Sequence, residues 1–421
     1  MKDLLFLAHR LPYPPDKGDK IRSWNLLRHL AKRYRIHLGA FIDDPEDHKH
    51  AEFLKLICAS AHFETLTPRI ARLQSARGFF KGEALSFPYY RHSGMSAWVD
   101  SVMEQVKPSI AFAFSSQVAP YILSSGPNDM MRVVDFVDVD SDKWRQYAEN
   151  KPFPSSWIYS REARLLADAE RRIAQSVDAS ILVSEAEADL FRKRVGLCTE
   201  RVIGIGNGVD TEFFAPEAVG SNPYENHDGP VIAFAGVMDY WANVDAVQWF
   251  AHEIFPEVRR QIPTARFFIC GARPTAAVLR LGELDGVQVT GRVDDIRGYV
   301  HFADVSVAPL RIARGIQNKV LEAMALRTPV VCTSQALEGI AAIPEAQIAV
   351  ADSTADLAAE IVDLLSDRSR RRKLGKAGRA LVEREYSWPA QLACLSRLLD
   401  GEVDEDRQPP PKTATLARVA A

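Results

Sequence analysis

The sequence predicts an α/β protein built from two doubly wound domains in tandem, and three observations predict it. The chain has 421 residues, more than one hydrophobic core usually serves, which suggests two domains of roughly 200 residues each. Short, near-continuous apolar runs alternate with amphipathic stretches, the pattern of parallel strands covered on both faces by helices. That alternation restarts after "GNGVDTEFFAPEAVGSNPYENHDGP" (206–230), which is rich in Gly, Pro and Asn and reads as a linker.

Taken in order, the first-half strands are expected at "LLFLAH" (4–9), "RIHLGAFI" (35–42), "SIAFAF" (109–114), "RVVDFVD" (132–138), "ASILVS" (179–184) and "RVIGIG" (201–206). Amphipathic segments such as "KIRSWNLLRHLAKRY" (20–34) and "EARLLADAERRIAQSV" (162–177) lie between them. The second-half strands are expected at 230–236, 265–271, 287–291, 304–310, 328–333 and, more weakly, 346–350. Near the end, "EREYSWPAQLACLSRLLDG" (383–401) reads as a helix entered through Ser387 and Pro389 and stopped by Gly401. The last stretch, 402–421, has no core-forming pattern and is expected to be disordered. Domain bounds of 1–207 and 208–382 follow, then the 383–401 helix and the 402–421 tail.

Composition narrows the function. Hydrophobic residues make up 47% and charged residues 25%, as in ordinary soluble domains. A net charge of −3 argues against a dedicated nucleic-acid binder. Five cysteines, Cys58, Cys198, Cys270, Cys332 and Cys394, are scattered and without CxxC spacing, which fits free thiols in a reducing compartment. No apolar run is long enough for a membrane helix, and the N-terminus does not read as a signal peptide. A cytoplasmic location is expected, with peripheral attachment to the inner membrane face as its extension. No metal or cofactor is called for.

In doubly wound sheets, ligands bind at the carboxyl ends of strands, where helix N-termini point at them. The stretch "PLRIARGIQNKVLEAMALRTPVV" (309–331) fits that place: a strand end, a loop, a short helix and the next strand. Gly315 leaves backbone N–H groups open to an anion. Lys319 and Glu322, three apart, share a helix face. With Arg314 they make a credible diphosphate cradle. The same letters read equally well as solvated surface charge, with Glu322 in a helix-surface ion pair. In the first half, "HRLPYPPDKGDKIRSWNLL" (9–27) runs from the first strand into a helix and lacks the GxGxxG dinucleotide fingerprint. Gly18 there permits close backbone approach, and Lys20 sits at the helix start; an ordinary entry loop is the alternative. Asn243, in "WANVDAV", reads as a helix cap.

Five segments carry a resemblance: "IGNGVDTEFF" (205–214), "VIAFAGVMDYWANVDAVQWF" (231–250), "ARFFICGARP" (265–274), "VTGRVDDIRGYVHFADVSVAPL" (289–310) and "VLEAMALRTPVVCT" (320–333). They follow the order found in the GT-B glycosyltransferases of family 4. The terminal "YSW" helix is similar to that family's return helix, which packs on the first domain. More narrowly, "DFVDVDSDKW" (135–144) and "PLRIARGIQNKVLEAMA" resemble the sugar transferases of exosortase-associated (PEP-CTERM) exopolysaccharide loci. The resemblance covers most of residues 1–400 and is strongest in the second half.

It implies two Rossmann-like domains facing a central cleft, acceptor side first and donor side second. It implies a hexosyltransferase-like enzyme (EC 2.4 class) that moves a sugar, with retention, from a nucleotide-diphosphate donor to a glycan or polyprenyl-linked acceptor. Glu322 matches the family's ribose-binding Glu. The family's earlier Glu, which holds the donor sugar, is replaced here by Arg314. Its diphosphate-binding Arg and Lys fall near Val237 and Ala242 and are missing. Arg314 and Lys319 are then expected to supply the missing charge, or Arg314 to meet a carboxylate on the donor. Arg273, after a strand, is a further donor-pocket candidate, with a surface Arg as the alternative.

The family often places a His after a first-domain strand. Here "RVVDFVD" ends in Asp135 and Asp138, with Asp140 and Asp142 behind. Alternation sets Asp135 and Val137 on one face and Asp138 on the other. Asp138 is the catalytic candidate; turn chemistry and capping are the alternative. A nucleotide-sugar 2-epimerase of the same fold and an inactive sugar-nucleotide-binding regulator are the competing functions. Basic and aromatic residues at 17–35 and 68–94 (Phe79, Phe80, Tyr89, Tyr90 among them) suggest an anionic membrane surface as a partner.

Overall fold

The computed structural model describes residues 1–67, 82–127, 129–149, 152–196, 201–313 and 315–401. The chain forms two compact units, Met1–Asn207 with the chain from Leu392 onward, and Gly208–Gln391.

The first unit holds a seven-stranded sheet. Its strands are β1 (Lys2–Ala8), β2 (Tyr34–Ile42), β3 (Ser60–Thr65), β4 (Ile110–Phe114), β5 (Met131–Val137), β6 (Ala179–Leu182) and β7 (Val202–Gly204). They lie in the order β3-β2-β1-β4-β5-β6-β7, and every pairing is parallel. The centre is fully apolar: Leu4, Phe6, Ala111, Phe112, Val133 and Val134 are all buried. Strand direction therefore follows from burial on both faces. The edge strand β3 escaped the sequence reading because "SAHFET" has no apolar run and is only partly buried. Order reverses between β1 and β4, so their carboxyl ends flank a switch point.

Three helices of this unit matter below: α1 (Gly18–Ala31), α2 (Asp140–Glu149) and α3 (Ser155–Ser176). The buried face of α3 repeats at helical spacing through Glu162, Leu166, Ala169, Glu170, Ile173 and Ala174. Two of those six are carboxylates: Glu170 accepts from the Ser141 N–H and hydroxyl, and Glu162 from the Leu85 N–H.

The second unit holds a six-stranded parallel sheet in the order β10-β9-β8-β11-β12-β13. Its strands are β8 (Val231–Ala235), β9 (Arg266–Cys270), β10 (Val287–Gly291), β11 (Val305–Ala308), β12 (Val330–Cys332) and β13 (Ala349–Val350). The switch point falls between β8 and β11. Helix α4 (Trp241–Trp249) follows β8, and α5 (Asn318–Ala325) follows β11. On α5, Val320 and Met324 are buried on the expected face. Near the chain's end, Val209 bridges Ser387, and α6 (Trp388–Asp400) begins under a Ser387 hydroxyl cap. Its later turns belong to the first unit: Ser396 meets His29 at 2.7 Å, and Asp400 accepts from Arg33 at 2.7 Å. The 402–421 tail and Cys198 lie outside the described residues. Among the described residues, no helix is long and apolar enough to cross a membrane.

Candidate functional site

Polar groups gather at both switch points, and the two gatherings differ. In the second unit, Gly271 has φ +147°, and a Cβ there would stand 1.7 Å from the Gly236 carbonyl oxygen. Only glycine lets the loops after β8 and β9 touch this closely. The Gly236 N–H donates to Cys270 at 3.0 Å, which locks the contact. Exposed Arg273 lies two residues on, at φ +56°, and faces Asp239 at 3.2 Å.

Behind those loops stands Lys319. Its ammonium donates to the Asn243 amide oxygen and lies 4.9 Å from the Phe234 ring centre. Burial lowers its pKa to about 8, with Glu322 opposing. Asn243 is not a cap. It sits inside the first turn of α4, and its amide donates back to the Val237 carbonyl at 2.9 Å. That bond turns the amide oxygen toward Lys319. The lysine thus reaches the start of α4, beside Ala242, where the sequence lacks the expected cation.

Glu322, one turn along α5, is partly buried, and burial pushes its pKa up to about 7 while Lys319 opposes. Among the described residues, nothing hydrogen-bonds its carboxylate. Partly exposed and without a protein donor among the described residues, this carboxylate can accept hydrogen bonds. Gly315, at φ +64°, faces open space and turns the loop before α5; its carbonyl accepts from Gln317 at 3.0 Å. Arg311 is drawn away, paired with Asp245 and stacked over Trp249. Arg314 lies outside the described residues.

In the first unit the charges answer one another. Asp135 is fully buried and accepts from Arg22 at 2.8 Å and from the Val137 N–H at 2.9 Å. Burial raises its pKa, against the Arg22 charge. The register of β5 against β6 shifts between Asp135 and Val137, and Val137 is left-handed at φ +68°. The alternation expected through Asp138 therefore stops at this bulge, which re-aims the strand end. A β-branched residue in that region is strained, and such strain concentrates at functional sites. Asp138 emerges just beyond it, about one-third exposed, with the Lys143 ammonium at 2.5 Å. Asp140 begins α2 and accepts from Gln117 at 3.1 Å; burial raises its pKa. Asp142 is structural, held by Arg145, Gln146 and Arg194.

Lys20 sits at the start of α1 as expected, but its side chain does not face solvent. Its side chain is 1% exposed, with Asp47 at 2.8 Å and Asp16 at 3.4 Å. That ammonium pins the loop after β1 and is not presented to a ligand. At Gly18 a Cβ would meet nothing within 4 Å, so the space over the start of α1 is open. His9, at the end of "LLFLAH", was missed. It stacks on Phe114 at 5.7 Å, meets Tyr90 edge-on, and faces Asp19 at 3.5 Å. His9 and Arg10 hold the Asp19 carboxyl well below the usual carboxylate range. A histidine directly after an apolar run was the available signal.

The basic face expected at 17–35 is largely neutralised. Lys17, Lys20, Arg22, Arg33 and Arg35 face Asp44, Asp47, Asp135, Asp400 and Asp3. These acids lie far away in sequence, which is why the cation run misled. Most of the other basic segment, 68–81 with Phe79 and Phe80, lies outside the described residues.

Comparison with known proteins bears on both units. Residues 229–367 match the family described as Glycosyl transferases group 1. A GDP-mannose-dependent monoacylated alpha-(1-6)-phosphatidylinositol monomannoside mannosyltransferase of Corynebacterium glutamicum is 30% identical over 159 residues, 35% of this chain and 42% of that protein. A GDP-mannose-dependent alpha-(1-6)-phosphatidylinositol monomannoside mannosyltransferase of Mycobacterium tuberculosis is 26% identical over 251 residues, 55% of this chain and 64% of that protein. The chain thus spans about half the length of these curated relatives. Among solved structures, sucrose-phosphate synthase from Thermosynechococcus elongatus superposes with a TM-score of 0.61 at 17% identity, covering 95% of this chain and 99% of that one. HepE of Anabaena, solved with UDP-glucose, gives 0.60 at 15% identity, with 95% and 100% covered. WaaG, a glycosyltransferase involved in lipopolysaccharide biosynthesis, gives 0.58 at 14% identity, with 94% and 100% covered. At such identities the likeness is one of fold: two α/β domains with parallel sheets, as in these GT-B proteins.

Proposed function

We propose that the chain is a glycosyltransferase that moves a sugar from a nucleotide-diphosphate donor to a glycan or polyprenyl-linked acceptor. The match of residues 229–367 to Glycosyl transferases group 1 carries this reading. The second unit gives it a physical form. Glu322, whose carboxylate receives no hydrogen bond among the described residues, is suited to a pair of vicinal hydroxyls, as on a ribose. Each charge-assisted hydrogen bond there contributes about 1.5–3 kcal/mol. Lys319, beside the start of α4, supplies charge for the diphosphate, and the N-terminus of α5 adds about 0.3–1 kcal/mol for an anion. Gly315, Arg273 and Arg314 complete the donor side.

In the first unit, Asp138 is the group we assign to act on the acceptor, with the Lys143 ammonium 2.5 Å from its carboxylate and Gly18 leaving room at the loop after β1. Transfer with retention, membership of family 4 and a place in bacterial exopolysaccharide synthesis extend the same reading, as does a cytoplasmic site of action. No metal or cofactor is assigned. The relatives' use of GDP-mannose and of a phosphatidylinositol acceptor makes GDP-sugars and lipid-linked acceptors the first to try, and the fold likeness to HepE adds UDP-glucose. Incubation with labelled GDP- and UDP-sugars should show slow donor hydrolysis that is lost in Glu322→Ala. Tight nucleotide binding without turnover of any donor would favour a sugar-nucleotide-binding regulator instead.

A further inference from the structure

The loop after β8 presents apolar surface where cations were expected. Val237 is 41% exposed, Tyr240 53% and Trp241 55%. The two rings are neighbours, with centres 6.1 Å apart and planes tilted by 57°. A rigid frame holds them out. The Gly236 N–H donates to the Cys270 carbonyl at 3.0 Å, and the Met238 N–H to the Ala272 carbonyl at 2.8 Å. Met238 is fully buried. The Asn243 N–H donates to the Tyr240 carbonyl at 2.9 Å, and the Asn243 amide to the Val237 carbonyl at 2.9 Å. The rings cannot fold inward without breaking these bonds.

The size and chemistry of the patch select a small polar-rimmed ligand. A stable protein interface takes about 800 Å² from each partner, far more than three side chains offer. At the edge of the patch stand Asp239 and Arg273, 3.2 Å apart and both solvent-exposed. Aromatic faces accept a flat apolar surface, while the carboxylate and guanidinium bond to hydroxyls. A sugar ring carries both: C–H groups on its faces and hydroxyls on its rim.

The order of groups says which sugar. In a nucleotide-diphosphate sugar the order is base, ribose, diphosphate, sugar. On the donor reading above, Glu322 meets the ribose and Lys319 the diphosphate. From Glu322 to Lys319 is three residues toward the start of α5, about 4.5 Å. The Lys319 ammonium then donates to Asn243, in the first turn of α4. Tyr240 and Trp241 open that same turn. The base lies at the other end, beyond Glu322. We infer that Tyr240 and Trp241 are a stacking platform for the donor's sugar ring, with Asp239 and Arg273 bonding its hydroxyls. The inference rests on the donor reading and names the residues that would select the transferred sugar.

Titration of the full chain with GDP, GDP-mannose, UDP and UDP-glucose tests it. Tyr240→Ala with Trp241→Ala should weaken binding of the nucleotide sugar roughly tenfold and that of the matching bare diphosphate less than about twofold. Trp241→Phe in the otherwise unaltered chain keeps a ring and should retain most of the affinity. Tryptophan emission gives a second readout: in the parent the nucleotide sugar should change it beyond the change made by the bare diphosphate, and Trp241→Phe should abolish that difference. Equal weakening of sugar-bearing and bare ligands, no weakening of either, or an emission difference that survives Trp241→Phe would each overturn the inference and leave the donor reading standing. A parent that binds none of the four ligands would overturn both.

Discussion

Glu170 in the first unit and Glu322 in the second are both pushed up to about 7, and burial is the chief cause in each. They differ in what meets the carboxylate. Glu170 receives the Ser141 N–H and hydroxyl and closes the base of a hairpin. Glu322 receives no hydrogen bond among the described residues. The same desolvation has built a pin in one place and an open acceptor in the other. A displaced pKa therefore marks function only when the surrounding structure leaves the group unanswered.

The largest test of this contrast is Glu322→Ala. Loss of two charge-assisted bonds to a ligand, about 3 kcal/mol or more, should cut kcat/KM for donor hydrolysis by more than a hundredfold, while leaving thermal stability unchanged or raised. A lowered Tm with unaltered kinetics would make Glu322 a pin like Glu170. The converse change, Glu170→Ala, leaves two buried donors unmet and should cost about 2 kcal/mol in denaturant unfolding, with nucleotide affinity unmoved. Next in size is Lys319→Met, expected to weaken nucleotide diphosphate binding roughly tenfold, the loss of one half-buried charge contact; titration calorimetry at two salt concentrations would show it.

The smallest effect is in pH. Both carboxylates have folded pKa values above their unfolded ones, so the folded chain holds more protons between about 4.5 and 7. Stability from these groups is greatest below that window, falls as pH rises through it, and is fully lost above 7. The slope of Tm between pH 5 and 7.5 should flatten in Glu322→Gln and again in Glu170→Gln. Nucleotide affinity should rise with pH through 7 in the parent and stay flat in Glu322→Gln only. Flattening of the binding profile by Glu170→Gln would break the distinction between pin and acceptor.

Strands buried on both faces were legible because "LLFLAH" or "PVIAFAG" can be satisfied in few other ways. The strand β3 was not, since "SAHFET" is half-exposed at an edge. At the sites, the strand–loop–helix setting of Glu322 was legible, with β11 at Val305–Ala308 and α5 at Asn318–Ala325. Lys20 was misjudged because Asp47, which neutralises it, lies 27 residues on. The face of Asp138 was misjudged because a bulge at Val137 breaks the period of two. Asn243 was misjudged because its partners, Val237 and Lys319, are set by tertiary packing and not by helix position. Sequence periodicity reports burial; it does not report which charge has found which.

Arg22 carries a last consequence. From the second turn of α1 it bonds Asp135, the Ile205 carbonyl at 2.9 Å and the Asn207 amide oxygen at 2.9 Å. Its acceptors are thus made by the ribosome long after it is. A nascent chain that has emerged only as far as β6 holds a guanidinium with one ion partner and no carbonyl to cover it. The full set of acceptors for that charge is therefore complete only once Asn207, at the end of the first unit's long segment, has been made.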